Sequence, residues 1–180
     1  MQCIKDTIKN INIVIGCSIG CSYCYARMNN NRFHTIDDFN KPVFFENKLK
    51  MLDNKRHTAY LLTGQSDLSG WNEEWKDKVF SKMKENENTQ YIFLTKRPEN
   101  IKLKETPDNG WFGVTVTSSK EKTRIDYLRN NIKAKHYHIT FEPMFDDVGK
   151  LDLSNISWIV IGTETGNRKG KISSKREWVF

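Results

Sequence analysis

Gly16-Cys17-Ser18-Ile19-Gly20-Cys21-Ser22-Tyr23-Cys24-Tyr25-Ala26 is the stretch on which the reading of this chain turns. It carries three of the four cysteines, spaced C-x3-C-x2-C, directly after the apolar run Ile11 to Ile15. Three thiolates on one short loop can hold three corners of a cubane iron–sulfur cluster. Cys3 precedes the first expected strand, so the set stays open at one iron, and an open position is where a substrate or cofactor binds. A zinc site would take a fourth Cys or a His, and His34, His57, His136 and His138 lie far along the sequence.

Outward from that loop, short apolar runs alternate with helical or connecting segments. Ile11 to Ile15 is β-branched and apolar on both faces, as expected of a strand covered on both sides. Further strands are expected at Ala59 to Thr63, Gln90 to Leu94, Trp111 to Val116, His136 to Phe141 and Trp158 to Ile161. Between them, helices are expected from Tyr25 to Met28, over Val43 to Leu52, and over Trp71 to Lys84. The last of these sets Trp71, Trp75, Val79 and Met83 four apart. A further helix, Lys120 to Asn130, follows Thr117-Ser118-Ser119, a cluster suited to capping it. Pro98 fits a turn or a first helical position. The pattern predicts a parallel α/β fold. In such folds the strand C-terminal ends share one mouth, here bringing together the cysteine loop, Gln65, Lys96, Thr117, Glu142 and Glu164.

A chain of 180 residues that is 37% hydrophobic, with five Trp, six Tyr and ten Phe, is expected to fold as one domain, 1–180. No apolar run approaches the roughly 18–20 residues that cross a bilayer. The N-terminus lacks the apolar core of a signal peptide, so a cytoplasmic location with no membrane partner is expected. Reduced thiols clustered for metal fit that compartment better than disulfides. The surplus of 29 Lys and Arg over 22 Asp and Glu gives +7. That charge fits an anionic partner, nucleic acid included, and equally the composition of an AT-rich genome.

C-x3-C-x-aromatic-C, matched by Cys17, Cys21, Tyr23 and Cys24, resembles the hallmark of the radical S-adenosylmethionine (SAM) superfamily. Leu94 to Glu99 (LTKRPE), Trp111 to Thr117 (WFGVTVT), Phe141 to Gly149 (FEPMFDDVG) and Trp158 to Gly166 (WIVIGTETG) narrow the likeness. They are similar to a small branch found in phages and mobile elements, the radical SAM mobile pair proteins, and within it the partners called protein A. The resemblance implies a partial (βα)6 TIM-like barrel of parallel strands. Members of that branch continue past Glu177-Trp178 with another helix and strand, so the expectation is either a truncated C-terminal end or a missing last element of the barrel.

The resemblance also implies a [4Fe-4S] cluster on Cys17, Cys21 and Cys24 as metal ligands, with S-adenosylmethionine chelated at the open iron. Reductive cleavage would give a 5′-deoxyadenosyl radical, with a flavodoxin or ferredoxin as electron donor and a paired radical SAM protein as partner. Tyr23 would lie beside adenine or simply pack under the loop. Gly64, Gln65 and Ser66 stand where the family has a glycine-rich loop ending in Glu that meets the methionine amino group. Lys96 and Arg97, beside Thr95, would meet the cofactor carboxylate or an anionic substrate, or else open a solvated helix start; Thr115 and Thr117 would reach the ribose hydroxyls or serve simply as good strand residues. Glu142 and Glu164 would bind ribose, orient substrate or take a proton, or else pair with Lys96 and Arg97. Three functions follow. The first is a radical SAM enzyme of unknown substrate. The alternatives are a non-catalytic iron–sulfur or cofactor-binding module acting with a partner, and a radical enzyme that modifies nucleic acid.

Overall fold

Each apolar run pairs with a neighbour, and the register decides which side chains face the site. The computed structural model describes residues 7–54, 56 and 58–164; Cys3, His57, Thr165, Gly166, the basic residues Arg168 to Arg176 and Glu177-Trp178 lie outside the described residues. The strands are β1 (Ile8–Asn10), β2 (Val14–Ile15), β3 (Val43–Phe44), β4 (Ala59–Leu61), β5 (Gln90–Thr95), β6 (Gly110–Thr115), β7 (His136–Phe141) and β8 (Ile156–Ile161). The α-helices are α1 (Tyr25–Phe33), α2 (Glu73–Lys84) and α3 (Thr123–Asn131). Six strands, ordered β1-β4-β5-β6-β7-β8 and all parallel, curl into a half-barrel, while β2 and β3 pair antiparallel beside it. No helix among the described residues is long and apolar enough to cross a membrane.

Alternation along the strands separates two surfaces. On the outer face Tyr91, Phe93, Phe112, Val114, Ile139 and Phe141 join Val79, Phe80 and Met83 of α2 and Ile125 and Leu128 of α3 in the main core. Phe93 and Phe112 stack at 4.9 Å, and Phe80 sets its edge on both. Truncating a side chain so placed costs roughly 3–5 kcal/mol. The other face, with Leu61, Leu94, Lys96, Thr115 and Thr140, turns into the half-barrel.

Several elements differ from the sequence reading, each for a local reason. The first strand starts earlier. Ile8–Asn10 pairs with Ala59–Leu61, the Ile11 amide donates to Leu61 O, and Gly16 bridges Ser66, so the chain from residue 8 to 16 runs alongside 59 to 66. The expected helix over Val43 to Leu52 is instead β3 and a 3-10 helix, Glu46–Asp53. The Phe45 amide donates to Ile13 O, and Phe44 stacks on Trp75, so tertiary contacts override the helical spacing. α1 runs through Asn29 to Asn31 to Phe33, because buried Asn30 bonds both the amide and the carbonyl of Ile36 and anchors the turn that follows. α2 begins at Glu73, capped by Asn72, whose side chain accepts from the Trp75 amide. Capping before α3 is reversed: Ser118 makes no side-chain cap bond, and Glu121 reaches back to the amide and hydroxyl of Thr117. Pro98 takes the first position of the 3-10 helix Pro98–Asn100, as expected.

Candidate functional site

The cysteine loop is shaped by backbone demands that only particular residues meet. Gly16 has φ +113, and a Cβ there would lie 2.9 Å from Pro42 Cα, so glycine is required for the turn out of β2. The Gly16 amide donates to Gln65 O and the Cys17 amide to Phe39 O, tying the loop to both flanks. Arg27 braces it from α1: its guanidinium donates to Cys17 O (2.8 Å) and Asn40 Oδ1 (3.0 Å) and lies 5.0 Å over the Phe39 ring. Ile15, Ala26, Ile36 and Phe39 form a second small core beneath, against which Cys17 and Cys24 pack. The Cys24 sulfur caps α1, accepting from the Arg27 amide at 3.4 Å, a helix N-terminal position that favours negative charge.

Cys17, Cys21 and Cys24 are free of disulfides, half-buried, and line one cavity of about 370 Å³. Burial pushes the Cys17 thiol up, reinforced by Asp67, Cys21 and Cys24 and opposed by the Ile19 amide. Among the described residues no group of three His, Cys, Asp or Glu is gathered tightly enough to hold a single metal ion. A cubane makes a different demand, since each thiolate takes its own iron and the sulfurs stand apart. Three soft donors on one wall, with no histidine in the lining, fit such a cluster.

Most of the residues singled out in the sequence meet at this cavity: Tyr23, Gly64, Gln65, Ser66, Lys96, Thr115, Glu142 and Glu164 all line it beside the cysteines. The Tyr23 ring sits edge-on to Phe145 at 5.5 Å, with Lys96 Nζ 5.5 Å from its centroid on the cavity side. Burial, the Cys21 sulfur and Glu121 raise the Tyr23 phenol, so it stays protonated. The Ser66 hydroxyl accepts from Trp71 Nε1 (3.0 Å), and Gly64 O accepts from the Tyr25 hydroxyl (2.6 Å). Glu142 is exposed at the rim and folds over Gly162, where a Cβ would stand 2.9 Å from its carboxyl carbon; Glu164 is only 8% exposed.

Three residues stand behind the wall. Thr95 is buried on the outer face with its hydroxyl bonded to Asp67 Oδ1 (2.7 Å). The Arg97 amide donates to Thr95 Oγ1, and Arg97 is outside the lining. Thr117 is buried against Glu121, so of the threonine pair only Thr115 reaches the cavity.

Asp67 is the residue that sequence reasoning missed. Its carboxylate accepts from the Ser69 amide and hydroxyl, the Thr95 hydroxyl and the Lys96 amide, at 2.7–2.9 Å. It thereby fastens the loop after β4 to the end of β5 and fixes where Lys96 leaves the strand. Its visible signal is Asp-x-Ser, an acidic residue bonding its own backbone two residues on at the start of the 3-10 helix Leu68–Gly70. Thr63, Thr140, Tyr25 and Met28 also line the cavity. Burial, Cys24 and Glu142 raise the Tyr25 phenol. No curated protein and no solved structure matches the chain. A family model described as protein of unknown function (DUF5131) matches residues 2–180, and the chain therefore belongs to the DUF5131 family.

Proposed function

We propose that this chain is a radical SAM enzyme, a partial (βα)6 TIM-like barrel that holds a [4Fe-4S] cluster on Cys17, Cys21 and Cys24 and S-adenosylmethionine in the adjoining cavity. The observation that carries the reading is the convergence of three free cysteines with Lys96, Thr115, Glu142 and Glu164 on one cavity at the strand C-terminal ends. When bound, cluster and cofactor supply reductive cleavage of a sulfonium C–S bond and a 5′-deoxyadenosyl radical. The protein binds, orients and keeps water out. Lys96, held by Asp67 and lying over Tyr23, offers an ammonium to a carboxylate. Glu142 and Glu164 offer acceptors to an ammonium or to ribose hydroxyls, and Thr115 a hydroxyl on the cavity wall. Leu61, Leu94, Met28 and Ile19 give the apolar lining that limits solvent near a reactive centre. The thiols point to a reducing compartment, which agrees with a cytoplasmic enzyme supplied by a flavodoxin- or ferredoxin-type donor and working beside a paired radical SAM protein.

Anaerobic reconstitution with iron and sulfide, then dithionite and S-adenosylmethionine, tests this. The expected product is 5′-deoxyadenosine, with formation abolished by Cys21→Ala. An intact cluster that never cleaves the cofactor favours a cofactor-binding module acting with a partner. Protein that takes stoichiometric zinc and refuses iron sinks the proposal.

A further inference from the structure

The three thiols come from two flanks of one loop, and a single residue ties the flanks together. Arg27 stands on the first turn of α1. Its amide donates to Cys24 Sγ at 3.4 Å, while its guanidinium donates to Cys17 O at 2.8 Å. The Cys24 amide donates to Cys21 O at 3.2 Å, so Cys21 is carried along with Cys24. The stretch between Cys17 and Cys21 is built to bend. Ser18 and Gly20 are exposed, and Gly20 takes φ +78 with no atom within 4 Å of where a Cβ would stand. The placement of Cys17 against Cys24 therefore depends on a tie from outside the loop, and Arg27 supplies it.

The same guanidinium is seated against the other support of Cys17. It lies 5.0 Å over the Phe39 ring, and Phe39 O accepts from the Cys17 amide at 2.6 Å. Its second bond goes to Asn40 Oδ1 (3.0 Å), while Asn40 Nδ2 donates to Asp38 Oδ1 (3.1 Å) and so holds that amide in place. Both acceptors of Arg27 are neutral oxygens and the side chain is half-buried. Its charge is neither cancelled in these contacts nor fully screened by water. Lysine supplies a charge but not a planar fork that bonds twice and stacks. A thiolate-held cluster becomes more negative when it is reduced, and the charge around it is one of the levers on its potential. A cation fixed against the loop favours the reduced form.

We propose that Arg27 is a positioning residue for the cluster: it fixes Cys17 against Cys24 before metal arrives, and its guanidinium makes the bound cluster easier to reduce. The inference rests on the cluster reading above and adds to it a residue outside the cavity lining. Arg27→Ala, Arg27→Gln and Arg27→Lys test it, with Arg32→Ala as a control on the same helix. Arg32 is exposed, and its guanidinium lies over Phe33 rather than the cysteine loop. Urea unfolding of the metal-free proteins comes first; Gln and Lys each keep a donor for Cys17 O and preserve the comparison if alanine costs the fold. After anaerobic reconstitution, a mediated redox titration followed by electron paramagnetic resonance reads the potential, and bleaching by a chelator reads cluster loss. Gln and Ala should each lower the equilibrium constant for one-electron reduction about tenfold, a fall of about 59 mV in potential. Lys, which keeps the charge, should stay within about threefold of the parent. Cluster loss should be about tenfold faster in Ala and about threefold faster in Gln and Lys. Arg32→Ala should match the parent in both. Neutral variants with the parent's potential, even if they lose cluster faster, overturn the inference, and so does a Lys variant shifted as far as Gln. Those results leave the cluster itself standing. Parent protein that takes zinc and refuses iron overturns the inference and the cluster together. Loaded protein that shows the expected shifts yet makes no 5′-deoxyadenosine overturns the enzyme and leaves the role of Arg27 intact.

Discussion

The two ends of the half-barrel's inner face are built from the same strands and behave differently. At the strand C-terminal end the inward residues are Lys96, Thr115, Thr140 and Glu142, which line the cavity with the cysteines. At the other end are Gln90, Trp111, His136, His138 and Trp158, and these close on one another. His136 stacks on Trp111 at 4.4 Å, Trp158 meets Trp111 edge-on, and Trp111 Nε1 donates to Gln90 Oε1. His138 lies against Trp158 and donates through Nε2 to Phe93 O at 3.0 Å. One end is an aromatic floor whose contacts are internal. The other keeps charged and hydroxyl groups facing a space. Parallel α/β folds divide stability and chemistry between their ends in this way, and the division makes the comparison testable.

Asp67→Ala attacks the upper end at its hub and carries the largest expected effect. Removing the carboxylate strands the Lys96 amide, the Thr95 hydroxyl and the Ser69 amide. Each buried donor left unpaired costs about 1–3 kcal/mol, partly relieved by water, for roughly 3–4 kcal/mol in all. On the radical SAM reading proposed above, 5′-deoxyadenosine formation should fall about a hundredfold or more, because Lys96 loses its anchor. Asp67→Asn, which keeps an acceptor oxygen, should lose less of both. Urea unfolding and 5′-deoxyadenosine yield measure the two. A variant of full activity and reduced stability would move Asp67 from the site to the scaffold.

Acid probes the lower end. Burial lowers the His138 pKa to about 4, against the carbonyls of Phe93 and Trp111, which favour its charged form. Only 1% of the residue is exposed, and Nδ1 has no hydrogen-bond partner. The unfolded chain takes up this proton near pH 6.5 and the folded chain only near pH 4. Its contribution to stability is therefore complete above about pH 6.5 and is lost as pH falls towards 4, a change on the order of 3 kcal/mol. His138→Gln should flatten that part of the stability profile measured by denaturant unfolding. An unchanged slope would show that His138 is not the group responsible.

How far these two ends could be read beforehand differs as well. The upper end was legible because its groups sit directly after apolar runs, in loops where charge has no packing role: Lys96 after Phe93-Leu94, Glu142 after Phe141, the cysteines after Ile15. Asp67 was not, because its role lies in four bonds to groups up to 29 residues away, and an Asp in a loop looks the same bonded or solvated. Thr117 and Thr95 misled for a related reason. Strand alternation tells which residues share a face, but which face looks inward was not visible from Thr115 and Thr117 alone, and the chain turns at Thr117 to meet Glu121. The strands themselves were visible to within a few residues. Val43 to Leu52 was not, since Phe44, Leu49 and Leu52 have helical spacing while the decisive partners, Ile13 and Trp75, are remote. The floor was invisible for the same reason: Trp111, His136 and Trp158 belong to three strands and meet only when the sheet curls.

Gly113 carries the smallest of these effects and separates the ends most cleanly. It lies on β6 between Trp111 and Thr115, facing inward, and the His138 ring from β7 passes across it to reach Phe93 on β5. A Cβ at Gly113 would stand 2.4 Å from the ring, so alanine there displaces the imidazole and breaks its bond to Phe93 O. Overpacking of this kind costs about 1–3 kcal/mol, a fall of roughly 2–4 °C in Tm per kcal/mol for a chain of this size. His138→Ala alone also destabilises, by opening a hole in the floor. Combined, the new methyl occupies part of that hole, so the double variant should lose less than the sum of the two single losses. On the proposed radical SAM reading, 5′-deoxyadenosine formation at a temperature where all three variants remain folded should stay within about twofold of the parent, because His138 and Gly113 both lie outside the cavity lining. Additive losses would mean that the ring does not rest on Gly113. A fall in cleavage that tracks the loss of stability would mean that the floor and the site move as one unit, since Thr115 is only two residues further along the same strand.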